Sequence, residues 1–318
     1  MYIVISEQVH ADAIAALKDV ADVVYDANLF KDRGRLVELV KDAEALIVRN
    51  ATRVDRALLE HARNLAVVGR VGVGLDNLDL PALGARAVTV VWAPGTNAVS
   101  VAEYVLGAML ELSRRLSSVS RELHAGRWDR FAAVGSELFG KVLGIVGLGD
   151  IGGRLAKRAV ALGMRVWASD PVLHGSSFAV QEVPVKLVGL DELLAGSDFV
   201  SLHAPLTEKT ENLVDEAALQ AMKSSAFLIN TARGGLLDEA ALARAVREGW
   251  IAGAALDVRR QEPPGDRDPL RGLGNVLLTP HVAGVTHESN RRASLHVADD
   301  VLRVLRHERP LTAVALRA

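Results

Sequence analysis

Short apolar runs recur along the chain, each followed by a longer stretch whose apolar positions repeat at helical spacing. In the first part the runs are Tyr2–Ser6, Val23–Tyr25, Ala45–Val48, Ala66–Arg70 and Val88–Trp92. Helical patterns lie between them, near Ala11–Val20, Arg35–Asp42, Arg56–Ala62 and Leu80–Ala85, with Asp55 placed as an N-cap. The pattern then changes. APGTNAVSVAEYVLGAMLELSRRL opens with a Pro94-Gly95 turn and becomes one long helix from about Val99, while Trp128 to Phe139 is irregular and rich in large apolar residues. That stretch reads as an arm packing on another subunit, or else as a covered loop. From Lys141 the alternation resumes, with strands expected at Val142–Val146, Met164–Ser169, Val185–Val188, Phe199–His203, Ala226–Asn230, Gly253–Val258 and Val276–Thr279. Asp191, Asp215 and Asp238 are placed to cap helices, and a last helix covers roughly His287 to Arg306.

Strands alternating with helices predict an α/β protein with two doubly wound parallel-sheet domains, one flavodoxin-like and one Rossmann-like. The return to helix after the last strand predicts a discontinuous first domain, residues 1–97 with 287–318, around a cofactor domain at 98–286. Half of the 318 residues are hydrophobic and the net charge is −2, which suits two buried cores and gives no basic excess for nucleic acid. No apolar run reaches the roughly 18 residues of a membrane span, and MYIVISEQVH lacks the features of a signal peptide. There is no cysteine, which excludes disulfides and thiolate metal sites; no metal site is expected, and a cytoplasmic location is compatible with this.

One stretch carries a specific signal. In KVLGIVGLGDIGGRLAKRAVALGMRVWASD, Gly147, Gly149 and Gly152 fall at G-x-G-x-x-G spacing between a strand and an amphipathic run, Arg154 to Leu162, that stops at Gly163. Gly147 would allow a tight turn, Gly149 would let the backbone approach a pyrophosphate, and Gly152 would let helix and strand pack closely. The pyrophosphate would rest on the helix N-terminus. Asp170 follows at the distance of the acid that accepts from ribose hydroxyls, which favours NAD over NADP.

Ligands of such sheets bind beyond the carboxyl ends of the strands. Arg233 follows AFLINTA, Asp257 ends GAALD, Glu262 lies in QEPPGD, and His281 follows VLLTP. An arginine, a glutamate and a histidine beside a nicotinamide are what reduction of a 2-keto acid requires. The guanidinium fork holds a carboxylate, histidine hands over a proton near neutral pH, and a glutamate on its other nitrogen fixes the tautomer.

The segments VGRVGVGLDNLDL, GIVGLGDIGGRLA, HAPLTEKT, INTARGGLLDEAAL, AALDVRRQEPP and TPHVAG together resemble the D-isomer-specific 2-hydroxyacid dehydrogenase family, and IVRNATRVDRALLEHARNLAVVGRVGVGLDN is most similar to its 3-phosphoglycerate dehydrogenase branch. The resemblance implies substrate binding by Arg233, a catalytic Glu262–His281 pair, and a carboxylate held by backbone amides at Val73 and Gly74. It places Ala232 and Asp257 near the nicotinamide carboxamide, Asp150 and Ile151 in the pyrophosphate turn, and His203 and Pro205 near the adenine side. Asn97 and Ser100 match the hinge entry. It further implies an NAD-dependent enzyme with its cleft between domains that close on the substrate, and a homodimer formed through the cofactor domains. No C-terminal regulatory domain is expected, and AGVTHESNRR departs from the commonest branch pattern. Arg49 and Arg53, just after the third strand, suggest a substrate with a second anionic group, as in 3-phosphoglycerate; pairing with Glu44, Asp55 or Glu60 is the plainer reading. Sulfolactate, malate and hydroxypyruvate or glyoxylate stand as alternative substrates. An NAD-sensing scaffold needs no Arg233, Glu262 and His281 together, and neither does a methyltransferase.

Overall fold

In the computed structural model, which describes residues 1–173 and 183–316, the chain divides into two compact units, Met1–Asn97 with Val285–Ala318 and Ala98–Gly284. The first begins with β1 (Tyr2–Ile5), α1 (Ala11–Lys18), β2 (Asp22–Tyr25), α2 (Arg33–Val40) and β3 (Ala45–Val48). It continues through α3 (Arg56–His61), β4 (Val67–Arg70), α4 (Leu80–Ala85) and β5 (Thr89–Trp92). All pairings are parallel, in the order β2-β1-β3-β4-β5. The strands are apolar because both faces of the sheet are covered, one by a cluster with Leu36, Leu46 and Leu83, the other by one with Ile3, Leu17 and Ile47. Asp55 caps α3 through the Leu58 amide, while Asp32 and Asp79 do the same for α2 and α4. Each such cap stabilises its helix by about 1 kcal/mol.

The second unit opens with α5 (Ala98–Arg114) and α6 (Leu116–His124). It continues with β6 (Val142–Val146), α7 (Asp150–Ala161), β7 (Arg165–Ser169), β8 (Val185–Leu187), α8 (Leu190–Gly196) and β9 (Phe199–Leu202). Then come α9 (Glu216–Ala221), β10 (Phe227–Asn230), α10 (Glu239–Glu248), β11 (Gly253–Leu256) and β12 (Val276–Leu278). The strand order is β8-β7-β6-β9-β10-β11-β12, all parallel, the Rossmann arrangement extended by a further strand. The final helix, α11 (His287–Leu305), belongs to the first unit. It lies close to β4: a Cβ on Gly69 would come within 2.7 Å of Val297 and 2.8 Å of Val301.

Several local expectations are corrected. Asp191 is not a cap; Gly189 precedes α8 and Asp191 sits in its first turn, where an acid still favours the helix dipole. Helix α7 starts at Asp150 rather than Arg154, so Gly152 lies inside it. In the segment expected to form one long helix, α5 ends at Arg114; Arg115, at a left-handed φ of 50°, separates it from α6, which begins at Leu116 and runs beyond that segment. No residue of α6 is buried, and Trp128, Phe131 and Phe139 are exposed, Phe131 at 91%, so the unit itself covers little of this stretch beyond Leu138. Among the described residues no helix is long and apolar enough to cross a membrane, and no three His, Cys, Asp or Glu side chains are grouped to hold a metal.

Candidate active site

Three adjacent strands end together. Asn230 of β10 is in register with Leu256 of β11, which is in register with Leu278 of β12. Arg233, Asp257 and His281 therefore emerge from one edge of the sheet. The Asn230 side chain shapes the first turn, accepting from the Ala232 amide at 3.0 Å and donating to the Arg233 carbonyl at 2.9 Å. Gly234 permits a backbone-on-backbone contact: a Cβ there would lie 2.0 Å from the Arg259 carbonyl carbon. This packs the Arg233 turn directly against the segment leading to Glu262. Arg233 is half-buried, with Nη1 donating to the Ala232 carbonyl at 2.7 Å.

His281 Nδ1 and Glu262 Oε2 are 2.7 Å apart, a short contact of the charge-assisted kind. The other oxygen, Oε1, accepts from the Arg259 amide at 2.9 Å, so both oxygens of Glu262 are committed. His281 adopts a left-handed φ of 56°, a strained conformation for a non-glycine residue that persists only where its surroundings enforce it. Asp257 does the enforcing. Its carboxylate is buried and accepts from the Thr279 hydroxyl at 2.6 Å and the Val282 and Ala283 amides at 2.8 Å, while its carbonyl accepts from the His281 amide. Because the Thr279 hydroxyl gives its proton to Asp257, Tyr104 of α5 must donate to Thr279, at 2.5 Å. Nε2 of His281 has no hydrogen-bond partner among the described residues. Asp257 thus works first as the brace of the histidine loop, with its carboxylate turned inward.

The glycine turn sits at the switch point of the same sheet, between β6 and β9. Gly147 has a φ of +93°, and a Cβ there would come within 2.9 Å of the backbone at His203 and Ala204. A Cβ on Gly152 would lie 2.4 Å from the Gly147 carbonyl, whereas one on Gly149 would meet nothing within 4 Å. The open space is therefore beside the middle glycine, at the start of α7, where a diphosphate could approach the backbone amides. Asp150, first in that helix, is paired with Arg154 at 2.7 Å, which neutralises an otherwise repulsive charge; Ile151 is half-buried behind it. Asp170 closes the far side, accepting from the Leu148 amide through Oδ2 and from the Val172 amide through Oδ1, both at 2.9 Å. Each oxygen keeps a second acceptor site for a ribose hydroxyl. These features fit a dinucleotide. The His203 ring hydrogen-bonds Ser201 at 2.8 Å through Nε2, and its enclosed Nδ1 has no partner; burial pushes the imidazole down to about 4. Pro205 is exposed, its carbonyl held by Thr210.

In the first unit, the loops after β1 and β3 meet at that sheet's own switch point. Glu7, buried, accepts from the amides of Arg49 and Thr52 at 2.8 Å and of Ala51 at 3.0 Å. Asn77 donates to the carbonyls of Arg49 and Thr52. Arg49 is half-buried, with Nη1 3.3 Å from the Gln8 carbonyl, and Arg53 is exposed. Of the three acids that would have neutralised them, Glu44 is engaged with the N-terminus and Tyr2, and Asp55 with Arg33. Val73 and Gly74 lie half-exposed after β4. Glu7, Asn77, Tyr104 and Thr279 escaped the sequence reading because each acts by holding a loop whose partner is distant in the chain.

A Rossmann sheet with a glycine turn at its switch point and an arginine beside a Glu–His pair at neighbouring strand ends defines the frame of a dinucleotide-dependent oxidoreductase. The chain belongs to the D-isomer specific 2-hydroxyacid dehydrogenase family, whose NAD binding domain model matches residues 106–283. It is 42% identical over 307 residues to a D-3-phosphoglycerate dehydrogenase of Methanocaldococcus jannaschii, covering 96% of this chain and 58% of that one. It is 46% identical to an (S)-sulfolactate dehydrogenase of Chromohalobacter salexigens, covering 95% and 98%. A crystal structure of a Thermus thermophilus protein superimposes with a TM-score of 0.91 at 33% identity, over 99% of this chain and all of that one. The chain thus spans little more than half the length of the phosphoglycerate dehydrogenase.

Proposed function

We propose that the protein is an NAD-dependent dehydrogenase interconverting a D-2-hydroxy acid and its 2-keto acid, and that its substrate carries a second anionic group. The observation that carries the reaction is the 2.7 Å His281–Glu262 contact with His281 Nε2 left open, on the same sheet edge as Arg233. Bound nicotinamide supplies hydride transfer. In reduction, protonated His281 gives its Nε2 proton to the carbonyl oxygen, and Glu262 on Nδ1 keeps the ring in position and offsets its charge. In oxidation, the neutral ring takes the hydroxyl proton. Arg233 holds the carboxylate and polarises the carbonyl, aided by the amides of Val73 and Gly74. Gly147, Gly149, Asp150, Ile151 and Gly152 cradle the diphosphate, with Asp170 on the ribose favouring NADH over NADPH. Ala232 and Asp257 serve the carboxamide end, and His203 and Pro205 the adenine end.

The second anionic group rests on Arg49 and Arg53, which have no ion pair among the described residues and stand at the first unit's switch point. Phosphoglycerate and sulfolactate, the substrates in two relatives' names, both carry such a group. The exposed Trp128, Phe131 and Phe139 support the homodimer reading. A panel of keto acids with NADH and NADPH tests the function. His281→Ala should lower turnover about a hundredfold or more with NADH binding intact. Arg49→Ala should raise KM about tenfold for 3-phosphohydroxypyruvate or sulfopyruvate and leave glyoxylate unchanged, a loss of about 1.4 kcal/mol. Near-normal turnover in His281→Ala refutes the mechanism; equal effects on both substrate types return Arg49 to the surface.

A further inference from the structure

The turn that carries Glu262 has almost nothing to hold it. Residues 261–267 are all exposed, and glutamate has three rotatable torsions, yet both carboxylate oxygens are fixed, one on His281 and one on the Arg259 amide. The stiffness comes from the two ends of the turn. Arg259 Nη1 and Nη2 donate to the two oxygens of Asp268 at 2.9 and 2.7 Å, a two-pronged pairing that closes the turn on itself. The same guanidinium donates from Nε and Nη2 to Glu239, the first residue of α10, at 3.2 and 2.9 Å. Glu239 also accepts from the Arg260 amide at 2.7 Å, and Asp268 from the Leu270 amide at 3.0 Å. The Arg259 side chain is 8% exposed, with partners at 15% and 5%. A buried cation between two carboxylates contributes little net stability compared with an apolar packing of similar volume, but it imposes one geometry. Here the geometry it imposes is that of the Arg259 amide, the group on which Glu262 rests. Gly234 backs the next peptide, from the Arg259 carbonyl to the Arg260 amide, so the brace also abuts the Arg233 turn.

We propose that the buried Glu239–Arg259–Asp268 cluster is a positioning device for the proton-transfer pair, with Arg259 setting the orientation of Glu262 toward His281. This rests on the reading of Glu262 and His281 as the proton-transfer pair. It assigns a role in the reaction to three residues that touch neither substrate nor cofactor. A lysine keeps the charge but is a point donor without the planar fork, and cannot pair two-pronged with Asp268.

The test compares R259K, E262Q and the double variant, measuring kcat and KM for hydroxypyruvate and NADH binding by fluorescence. R259K should lower kcat about tenfold, with KM and NADH affinity changed less than about twofold, as expected for a small misplacement of a reacting pair. In the E262Q background R259K should add less than about twofold, because the group it positions is already gone. Wild-type kcat in R259K overturns the proposal, and so does an equal loss in the E262Q background or a fall in kcat that tracks cofactor affinity. If R259K does not fold, E239Q, which keeps the Asp268 fork and loosens the tether to α10, carries the same comparison with a smaller kcat loss. Wild-type kcat in both E262Q and His281→Ala would instead refute the proton-transfer reading itself, and absence of turnover with every keto acid of the panel overturns both.

Discussion

His203 offers a quantitative test of how the cofactor half is built. Its backbone, just past β9, packs against the glycine turn, and its ring has Nδ1 enclosed, with burial pushing it down from 6.5 to about 4. The sign follows from proton binding. Between these two values the unfolded chain holds a proton on this ring and the folded protein does not, so folding becomes less favourable as pH falls. The full stability is present above about pH 6.5 and is progressively lost on acidification toward about pH 4. A difference of that size corresponds to about 3 kcal/mol at the acid end, most of which should have gone by about pH 4.5. Carboxylates titrate in the same region, so the measurement is a difference. Urea unfolding of the wild type and of His203→Asn, at about pH 7.5 and about pH 4.5, should show the wild type losing about 2–3 kcal/mol more than the variant. Equal losses would mean that the ring titrates freely, and that the tight packing of β9 on the glycine turn does not keep it neutral.

Two further outcomes are expected. Gly152→Ala should destabilise the fold by about 1–3 kcal/mol and abolish NADH binding, because its Cβ would lie 2.4 Å from the Gly147 carbonyl. Gly149→Ala, with no neighbour within 4 Å, should leave stability within about 0.5 kcal/mol while weakening NADH at least about tenfold. Thermal unfolding and fluorescence titration separate these, and equal behaviour of the two variants would remove the diphosphate from this turn. Phe131→Asp, at a residue 91% exposed, should weaken self-association about a hundredfold in sedimentation at unchanged stability. An unchanged association constant would place any dimer contact elsewhere.

Much of the architecture was legible because it is written in local pattern. Each buried parallel strand is a short apolar run, since both its faces are covered, and the strand candidates fall within a residue or two of those observed. Asp55, Asp215 and Asp238 cap helices through amides two or three residues on, an interaction that sequence spacing alone specifies. Gly152 is likewise a local matter, because its Cβ would meet the Gly147 carbonyl of the same turn, whereas Gly147 is tight against His203 and Ala204, which only the sheet brings there. Charges were another case. Nothing nearby in the chain distinguishes Arg259 from Arg260. Only the tertiary structure brings Glu239, 20 residues earlier, and Asp268, 9 residues later, onto one of them and shields most of the three side chains from solvent. Glu7 is 42 residues from the loop it braces, and Tyr104 is 175 residues from Thr279. Apolar periodicity reports which face of an element is buried. Which polar group meets which inside depends on strand order and crossover, and that is decided when the sheet assembles.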